Sequence, residues 1–173
     1  MTFDRDQFIC DCRAAFAKDV SYKAVREIVA RAVSDPRAVI NALGDSPTER
    51  MQTLYLGEDL TILNVISAPN ATLLPHDHNM WAVIGIYCGR EDNIFWRRVP
   101  SDPRCRIEAV GAKSMSAKDA TPLGRDVIHS AINPIARVTG AIHVYGGDLF
   151  RERHSEWDPE TLTLLRDETG QRR

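Results

Sequence analysis

Two histidines separated by a single residue, His76 and His78, are the part of this sequence best suited to chemistry. They end the stretch Leu73-Leu74-Pro75-His76-Asp77-His78, which we expect to be extended, so both rings project from one face of a strand. Two imidazoles directed at one point form half of a transition-metal site. His129 lies in a second apolar stretch and completes three ligands if its strand lies beside the first. The sequence therefore predicts a metal site of His76, His78 and His129.

Taken singly, each histidine also fits a structural role. A histidine on a strand more often packs in the core or faces solvent than binds a metal. The metal interpretation therefore depends on the spacing of the residues around the three histidines.

Short apolar stretches separated by turn residues fill the middle of the chain and would position these histidines. They extend from about Thr53 to Gly146, and no helical pattern long enough for a parallel crossover interrupts them. Such spacing is typical of an all-β sandwich or barrel. The expected strands cover residues 60–66, 80–88, 93–99, 106–110, 125–130 and 137–145.

Helical patterns are expected at both ends of the chain. Apolar residues at helical spacing over the first 45 or so residues predict helices that cover the barrel, the third from Arg37 to Leu43. Asp158-Pro159-Glu160-Thr161 predicts the start of a short helix carrying Leu162 and Leu165. We expect one domain, with a helical cover (1–48), a barrel (49–150) and a C-terminal extension (151–173).

Composition narrows the classes of function. The chain has 173 residues, a net charge of −2 and 43% hydrophobic residues, which suits one globular domain. It lacks the basic stripe that nucleic-acid binding requires. No stretch approaches the roughly 20 apolar residues of a membrane span, and the N-terminus lacks the order of a signal peptide. We therefore expect a cytoplasmic protein that binds neither nucleic acid nor membrane.

The spacing of these residues resembles that of the cupin superfamily, whose fold is a double-stranded β-helix or jelly-roll barrel. The first cupin motif has His-x-His, a glutamate and a glycine, and His76, His78 and Gly89 match it. The second has Pro-x-Gly, a histidine and an asparagine. Pro122-Leu123-Gly124, His129 and Asn133 match this motif, with two extra residues between glycine and histidine. The resemblance covers about residues 50 to 150 and implies a mainly β cupin barrel behind a short helical section.

The glutamate of the first cupin motif is absent, since residues 80–84 are Met-Trp-Ala-Val-Ile. Three neutral histidines would leave the full charge of a divalent ion on the metal. That charge favours an anionic ligand, and a thiolate is both anionic and soft. A three-histidine cupin of this kind suits the oxidation of thiols.

Among cupins the chain is most similar to the cysteine dioxygenase-like family of thiol dioxygenases. In that family a strand Ser-x-His-x-Tyr directs its tyrosine hydroxyl at the iron-bound substrate. Ala141-Ile142-His143-Val144-Tyr145 matches at the histidine and the tyrosine and lacks the serine. The resemblance implies that Tyr145 acts in catalysis and that His143 orients it. A tyrosine and a histidine on a final strand can also simply fill a barrel.

The resemblance also implies a residue that binds the substrate carboxylate. Members of the family that act on cysteine have an arginine before the strand leading to His-x-His, and members that act on 3-mercaptopropionate have a glutamine. An alignment with a two-residue gap places Gln52 there, with Arg50 nearby. We expect Gln52 or Arg50 to bind the carboxylate, although Gln52 also fits an ordinary surface position.

The sequence thus predicts a non-haem Fe(II) dioxygenase that oxidises a small thiol, such as 3-mercaptopropionate or cysteine, to its sulfinate with O2. Two alternatives keep the barrel. One is a metal-dependent dioxygenase or isomerase that acts on a non-thiol molecule through nickel, manganese or zinc. The other is a cupin that binds a small molecule without catalysis. Cupins often pair through edge strands, so a homodimer is a further expectation.

Overall fold

The computed structural model describes residues 2–166, which form three helices followed by eleven strands. The helices are α1 (Arg5–Lys18), α2 (Tyr22–Val33) and α3 (Pro36–Leu43). The strands are β1 (Arg50–Leu56), β2 (Thr61–Ser67), β3 (Thr72–His76), β4 (Ala82–Cys88), β5 (Arg90–Arg98), β6 (Ile107–Ser116), β7 (Ala120–Leu123), β8 (Ile128–Ile132), β9 (Thr139–Tyr145), β10 (Glu156–Trp157) and β11 (Leu164–Arg166). No helix in the described range is long and apolar enough to cross a membrane.

The strands form two antiparallel sheets that face each other. One has the order β1-β2-β9-β4-β7 and the other the order β11-β10-β3-β8-β5-β6. Neighbours such as β2 and β9, or β3 and β8, are far apart in sequence, so the chain crosses repeatedly between the sheets. This is a double-stranded β-helix, and it confirms the predicted mainly β barrel with an N-terminal helical section.

The helices cover the outer face of the five-stranded sheet. Val25, Val29 and Val33 recur every fourth residue on α2 and are fully buried. Gly85 on β4 permits this close contact, because a Cβ there would lie 2.5 Å from Cγ1 of Val29. A core of buried apolar side chains from the helices and this sheet results, and Ile62 on β2 belongs to it.

The inner faces of the two sheets form a second core. Leu63, Ile84, Ile86, Met115 and Leu123 are buried there. Because successive side chains on a strand point to opposite faces, the five-stranded sheet supplies both cores. Polar side chains on the inner faces therefore lie inside the barrel.

The C-terminal segment differs from the sequence prediction. Instead of a helix from Asp158, the chain makes one turn and returns as β11 beside β10. The Asp158 carboxylate does accept hydrogen bonds from the backbone N–H groups of Glu160 and Thr161, as a helix cap would. Leu162 then adopts a left-handed conformation, φ 58°, which ends the turn. Leu165, expected on that helix, lies in β11.

Strand prediction was incomplete in three places. Besides β11, the apolar pattern did not predict β1, β7 and β10, whereas β3 was expected as the extended segment that ends at the histidines. β3 carries exposed leucines at 73 and 74, and β7 contains Pro122, which is more typical of a turn. Both strands nevertheless pair with neighbours along the barrel.

Candidate metal centre

The three predicted histidines lie together inside the barrel. β3 and β8 are antiparallel neighbours, and His76 stands directly opposite His129. His78 follows β3, and one ring nitrogen of each histidine lies within 4.8 Å of the others. His78 and His129 are buried, and His76 is mostly so. The expectation that the strand of His129 lies beside that of His76 is confirmed.

A β-bulge directs His76 into the barrel. Leu73 pairs with Ala131 and His76 pairs with His129, so three steps along β3 match two steps along β8. The carbonyl oxygen of Leu74, inside this bulge, lies 2.8 Å from Nδ1 of His76. Nδ1 therefore carries the proton, and the lone pair of Nε2 faces the centre of the triad.

Asn93 on β5 fixes the ring of His129 in the same way. Nδ1 of His129 lies 2.8 Å from Oδ1 of Asn93 and donates to it. The amide of Asn93 is oriented in turn by Glu91, whose Oε1 accepts from Nδ2 at 2.9 Å. Asn93 is 2% exposed and Glu91 6% exposed. This chain of Glu91, Asn93 and His129 leaves Nε2 of His129 as a free acceptor.

The donor atoms fit a divalent transition metal. Nε2 of His76 and Nε2 of His78 are 3.1 Å apart, and Nε2 of His129 is buried without a hydrogen-bond partner. Two nitrogens bound at right angles, each about 2.1 Å from an ion, would lie about 3.0 Å apart. A buried, unpartnered imidazole nitrogen is otherwise costly. The three-histidine group can therefore hold one metal ion.

Burial keeps these imidazoles neutral. Loss of solvation lowers the pKa of His78 to about 2, with smaller contributions from the charges of His76 and His143. Burial lowers the pKa of His129 well below its usual value and also lowers the pKa of His76. Neutral imidazoles are the form that binds metal, so at neutral pH no proton competes for the site.

A second buried pair lies on β9 beside the triad. Nδ1 of His143 and the hydroxyl of Tyr145 are 2.9 Å apart, and the Tyr145 ring centroid lies 5.2 Å from that of His78. Burial lowers the pKa of His143 to about 4, so at neutral pH the ring is neutral and carries one proton, on Nδ1 or on Nε2. Burial raises the pKa of Tyr145, which keeps the phenol protonated. Nε2 of His143 has no partner within the described residues, and Ala141, two residues before it on β9, offers no hydroxyl.

Gln52 and Arg50 are not brought to the triad. Gln52 pairs with Asn64, and Arg50 pairs with Ile66, so their side chains share a sheet face with those residues. Asn64 accepts a hydrogen bond from Tyr87, which packs in the core under the helices. That face is opposite to the barrel interior, so the geometry does not support a carboxylate-binding role there. The gapped alignment could not show on which face of the sheet Gln52 lies, because a shift of one residue along a strand moves every side chain to the opposite face.

Glu91 and Asn93 are functional candidates that the sequence interpretation missed. They are two residues apart on β5, so both point to the inner face of the sheet. The signal was a pair of polar side chains in alternation within a strand, but an exposed strand face gives the same pattern. Only the pairing of β5 with β8 shows that this alternation faces His129.

Acidification should destabilise the metal-free protein. An unfolded histidine takes up a proton near pH 6.5, whereas folded His143 does so only near pH 4, so stability falls as pH drops between these values. We expect His143 alone to lower the free energy of unfolding by about 2 kcal/mol between pH 7 and pH 5. Urea unfolding at both pH values measures this loss, and His154→Gln, at a half-exposed histidine, should preserve it. Equal free energies at pH 7 and pH 5 would contradict the assignment of buried neutral imidazoles.

Removing the amide that orients His129 should weaken metal binding. We expect Asn93→Ala to reduce affinity for a divalent ion about 10- to 100-fold, the usual effect of losing such a partner. Competition with a chromophoric chelator measures the affinity. Asp92→Asn is the matched control, because Asp92 is the intervening residue on β5 and pairs with the exposed Arg90. Unchanged affinity in folded Asn93→Ala would show that Asn93 does not support the site.

Comparisons with known proteins identify the fold. The sequence matches no protein-family model. It also matches no curated protein. An RmlC-like cupin with a double-stranded β-helix fold from Methanocaldococcus jannaschii superposes with a TM-score of 0.50 and 12% identity, over 62% of this chain and 87% of that one.

Two further solved structures are more distant. A Cupin 2 conserved barrel protein from Salinispora arenicola has a TM-score of 0.43 and 16% identity, over 58% of this chain and 76% of that one. Oxalate decarboxylase from Bacillus subtilis has a TM-score of 0.41 and 15% identity, over 53% of this chain and 22% of that one. Identities this low carry no information on substrate. The chain has the cupin fold, a double-stranded β-helix preceded by three helices, with three histidines that can hold a metal ion.

Proposed function

We propose that this protein is a non-haem Fe(II)-dependent dioxygenase that oxidises a small thiol to its sulfinate. The observation that carries the proposal is the convergence of three neutral imidazole nitrogens, with no carboxylate among them, beside a buried tyrosine and histidine. His76, His78 and His129 would hold the ion. Iron bound there would bind a thiolate and O2 and carry electrons between them.

The neutral ligands favour a thiolate. None of the three histidines brings a negative charge, so the attraction between a divalent ion and an anionic ligand is not reduced within the ligand set. Thiols are deprotonated readily beside a metal. A set with two histidines and one carboxylate would offset part of that charge.

Tyr145 would act as a hydrogen-bond donor to the bound substrate. Its pKa is raised by burial, so the phenol keeps its proton at neutral pH. With the proton of neutral His143 on Nδ1, the Tyr145 oxygen accepts a hydrogen bond from it at 2.9 Å, and the phenol proton is left for the substrate. Because hydroxyl and ring are buried next to His78, the donor needs little reorganisation as charge develops.

The apolar lining around the pair keeps water away. Leu63, Ala82 and Ile84 belong to the same inner core as Tyr145 and are almost fully buried. Exclusion of water strengthens each hydrogen bond in the site and limits loss of reactive species. The overall conversion, RSH + O2 to RSO2H, balances in atoms and electrons, so no further reductant is required.

Oxygen consumption with a panel of small thiols tests the proposal. We expect iron-loaded protein to consume O2 with at least one of cysteine, 3-mercaptopropionate and cysteamine, and to form one sulfinate per O2. With labelled O2, both product oxygens should carry the label in the mass spectrum. Zinc-loaded protein is the control, because zinc fits the same histidines but has no redox chemistry. No uptake above this control with any of the thiols would overturn the proposal.

A further inference from the structure

Two of the three imidazoles in the triad have a hydrogen bond that orients them, and the third has none. The carbonyl oxygen of Leu74 fixes Nδ1 of His76. Asn93 fixes Nδ1 of His129 in the same way. Within the described residues, the His78 ring makes its one hydrogen-bond contact with Nε2 of His76, an atom that would itself face the metal. The direction of the His78 ring therefore depends on the rings packed around it and on the backbone that carries it.

Asp77 anchors that backbone on the side away from the triad. The residue is 4% exposed, and Oδ1 of its carboxylate accepts a hydrogen bond from the backbone N–H of Ser155 at 2.8 Å. The backbone N–H of Asp77 donates in return to the carbonyl oxygen of Ser155 at 3.2 Å. Ser155 is also buried, so water does not compete for this reciprocal pair. A carboxylate so far from water is costly unless donors of this kind meet it.

The chain on both sides of Asp77 is tied to the same C-terminal segment, residues 153–157. On one side, β3 pairs with β10 through His76 and Glu156. On the other side, Nδ2 of Asn79 donates to the carbonyl oxygen of the first residue of that segment at 2.6 Å. The loop that carries the second histidine is therefore held at three points, and Asp77 is the central one.

Arg98 makes a second and weaker contact with Asp77. Its Nη2 lies 3.3 Å from Oδ2 of Asp77, and its guanidinium lies over the Trp157 ring, 5.3 Å from the centroid. The Arg98 side chain is 59% exposed, so solvent screens this ion pair. The buried hydrogen bond from Ser155 is therefore the principal anchor. It needs an acceptor oxygen on residue 77 and does not need the negative charge.

We propose that Asp77 is a positioning residue of the metal centre, which holds His78 towards the ion by binding the backbone of Ser155. The inference rests on the metal site that the proposed function requires and is independent of the oxidation of a thiol. Asp77 supports His78 through the backbone, whereas the other two rings are supported at Nδ1. Loss of such support usually lowers metal affinity about 10- to 100-fold.

Zinc affinity, measured by competition with a chromophoric chelator, tests this role. We expect Asp77→Ala to lower the affinity about 10- to 100-fold. Asp77→Asn should keep it within about threefold of the parent value, because the amide oxygen still accepts from Ser155 and only the exposed ion pair is lost.

Asp102 provides the matched control. Its side chain is 8% exposed, accepts hydrogen bonds from the backbone N–H groups of Arg104 and Arg106, and forms an ion pair with Arg106. Its chemistry thus resembles that of Asp77, but its loop carries none of the three histidines. Asp102→Ala should lower the free energy of unfolding and leave zinc affinity unchanged.

A double-mutant cycle shows whether Asp77 acts through His78. In a His78→Ala background, Asp77→Ala should change zinc affinity less than about twofold, because the ligand that Asp77 positions is gone. Ser155→Pro removes the same hydrogen bond from the donor side, so it should lower affinity as much as Asp77→Ala and replaces it in the test if that variant does not fold.

Unchanged zinc affinity in folded Asp77→Ala or Ser155→Pro, or an equal loss with and without His78, would overturn the positioning role. Zinc binding needs neither O2 nor a thiol. A failure of this inference is therefore seen in the chelator competition, and a failure of the proposed function is seen in the oxygen uptake.

Discussion

We expect that replacing His129 with alanine abolishes tight metal binding and, with it, the proposed thiol oxidation. Nε2 of His129 is buried without a partner and faces the other two imidazoles, so its loss removes one of three donors. Loss of a supporting group alone costs 10- to 100-fold in affinity, and we expect loss of the ligand itself to exceed about 100-fold. Chelator competition and metal analysis of the purified variant measure the effect.

His129→Ala weakens metal binding, but it should make the metal-free protein less sensitive to acid. Without metal, the buried Nε2 of His129 has no hydrogen-bond partner, so this side chain adds little to the free energy of unfolding. Because burial lowers the pKa of His129, the side chain reduces that free energy further in acid. His129→Ala should therefore flatten the loss of stability between pH 7 and pH 5. His154→Ala is the control, since His154 lies outside the triad and should leave affinity within about twofold. One tightly bound ion per chain in His129→Ala would show that the metal site lies elsewhere.

We expect that replacing Tyr145 with phenylalanine lowers the proposed turnover by about 100-fold and leaves metal affinity unchanged. The substitution removes only the hydroxyl, whose donor role in the transition state is worth about this factor at comparable sites. The effect should appear in kcat more than in KM, since the hydrogen bond strengthens as charge develops on the substrate. Steady-state O2 uptake and chelator competition measure the two quantities separately.

Tyr87 supplies a matched control for Tyr145. It is also a buried tyrosine with a hydrogen-bonded hydroxyl, but it donates to Asn64 on the sheet face under the helices. Tyr87→Phe should cost about 1 kcal/mol of stability and leave kcat unchanged. Equal turnover in Tyr145→Phe and the parent protein would remove Tyr145 from the mechanism.

The metal triad could be predicted because it depends on the two most regular properties of strands. Alternation places His76 and His78 on one side of an extended segment, and the cupin-like spacing predicts which strand carries the third histidine. Residue spacing does not predict the β-bulge that turns His76 towards the barrel interior. It also does not predict that the carbonyl oxygen of Leu74 accepts from Nδ1 and so fixes the tautomer of His76. Both depend on the local register between β3 and β8.

The substrate end of the site could not be predicted because it depends on register between strands. Gln52 and Arg50 lie on the face of β1 opposite to the barrel interior. A shift of one residue in the alignment would place them on the inner face instead. Glu91 became relevant only when β5 was seen to pair with β8. The C-terminal helix was wrong for a local reason, since the capping signal of Asp158 is real but Leu162 ends the turn.

The most direct test of the account is an anomalous difference map at the iron absorption edge, from crystals of protein loaded with Fe(II) under anaerobic conditions. We expect one peak per chain, about 2.1 Å from Nε2 of His76, His78 and His129, with no protein carboxylate in contact with it. A peak at another position, or a peak at the triad that Glu91 also coordinates, would contradict the three-histidine centre on which the proposed chemistry rests.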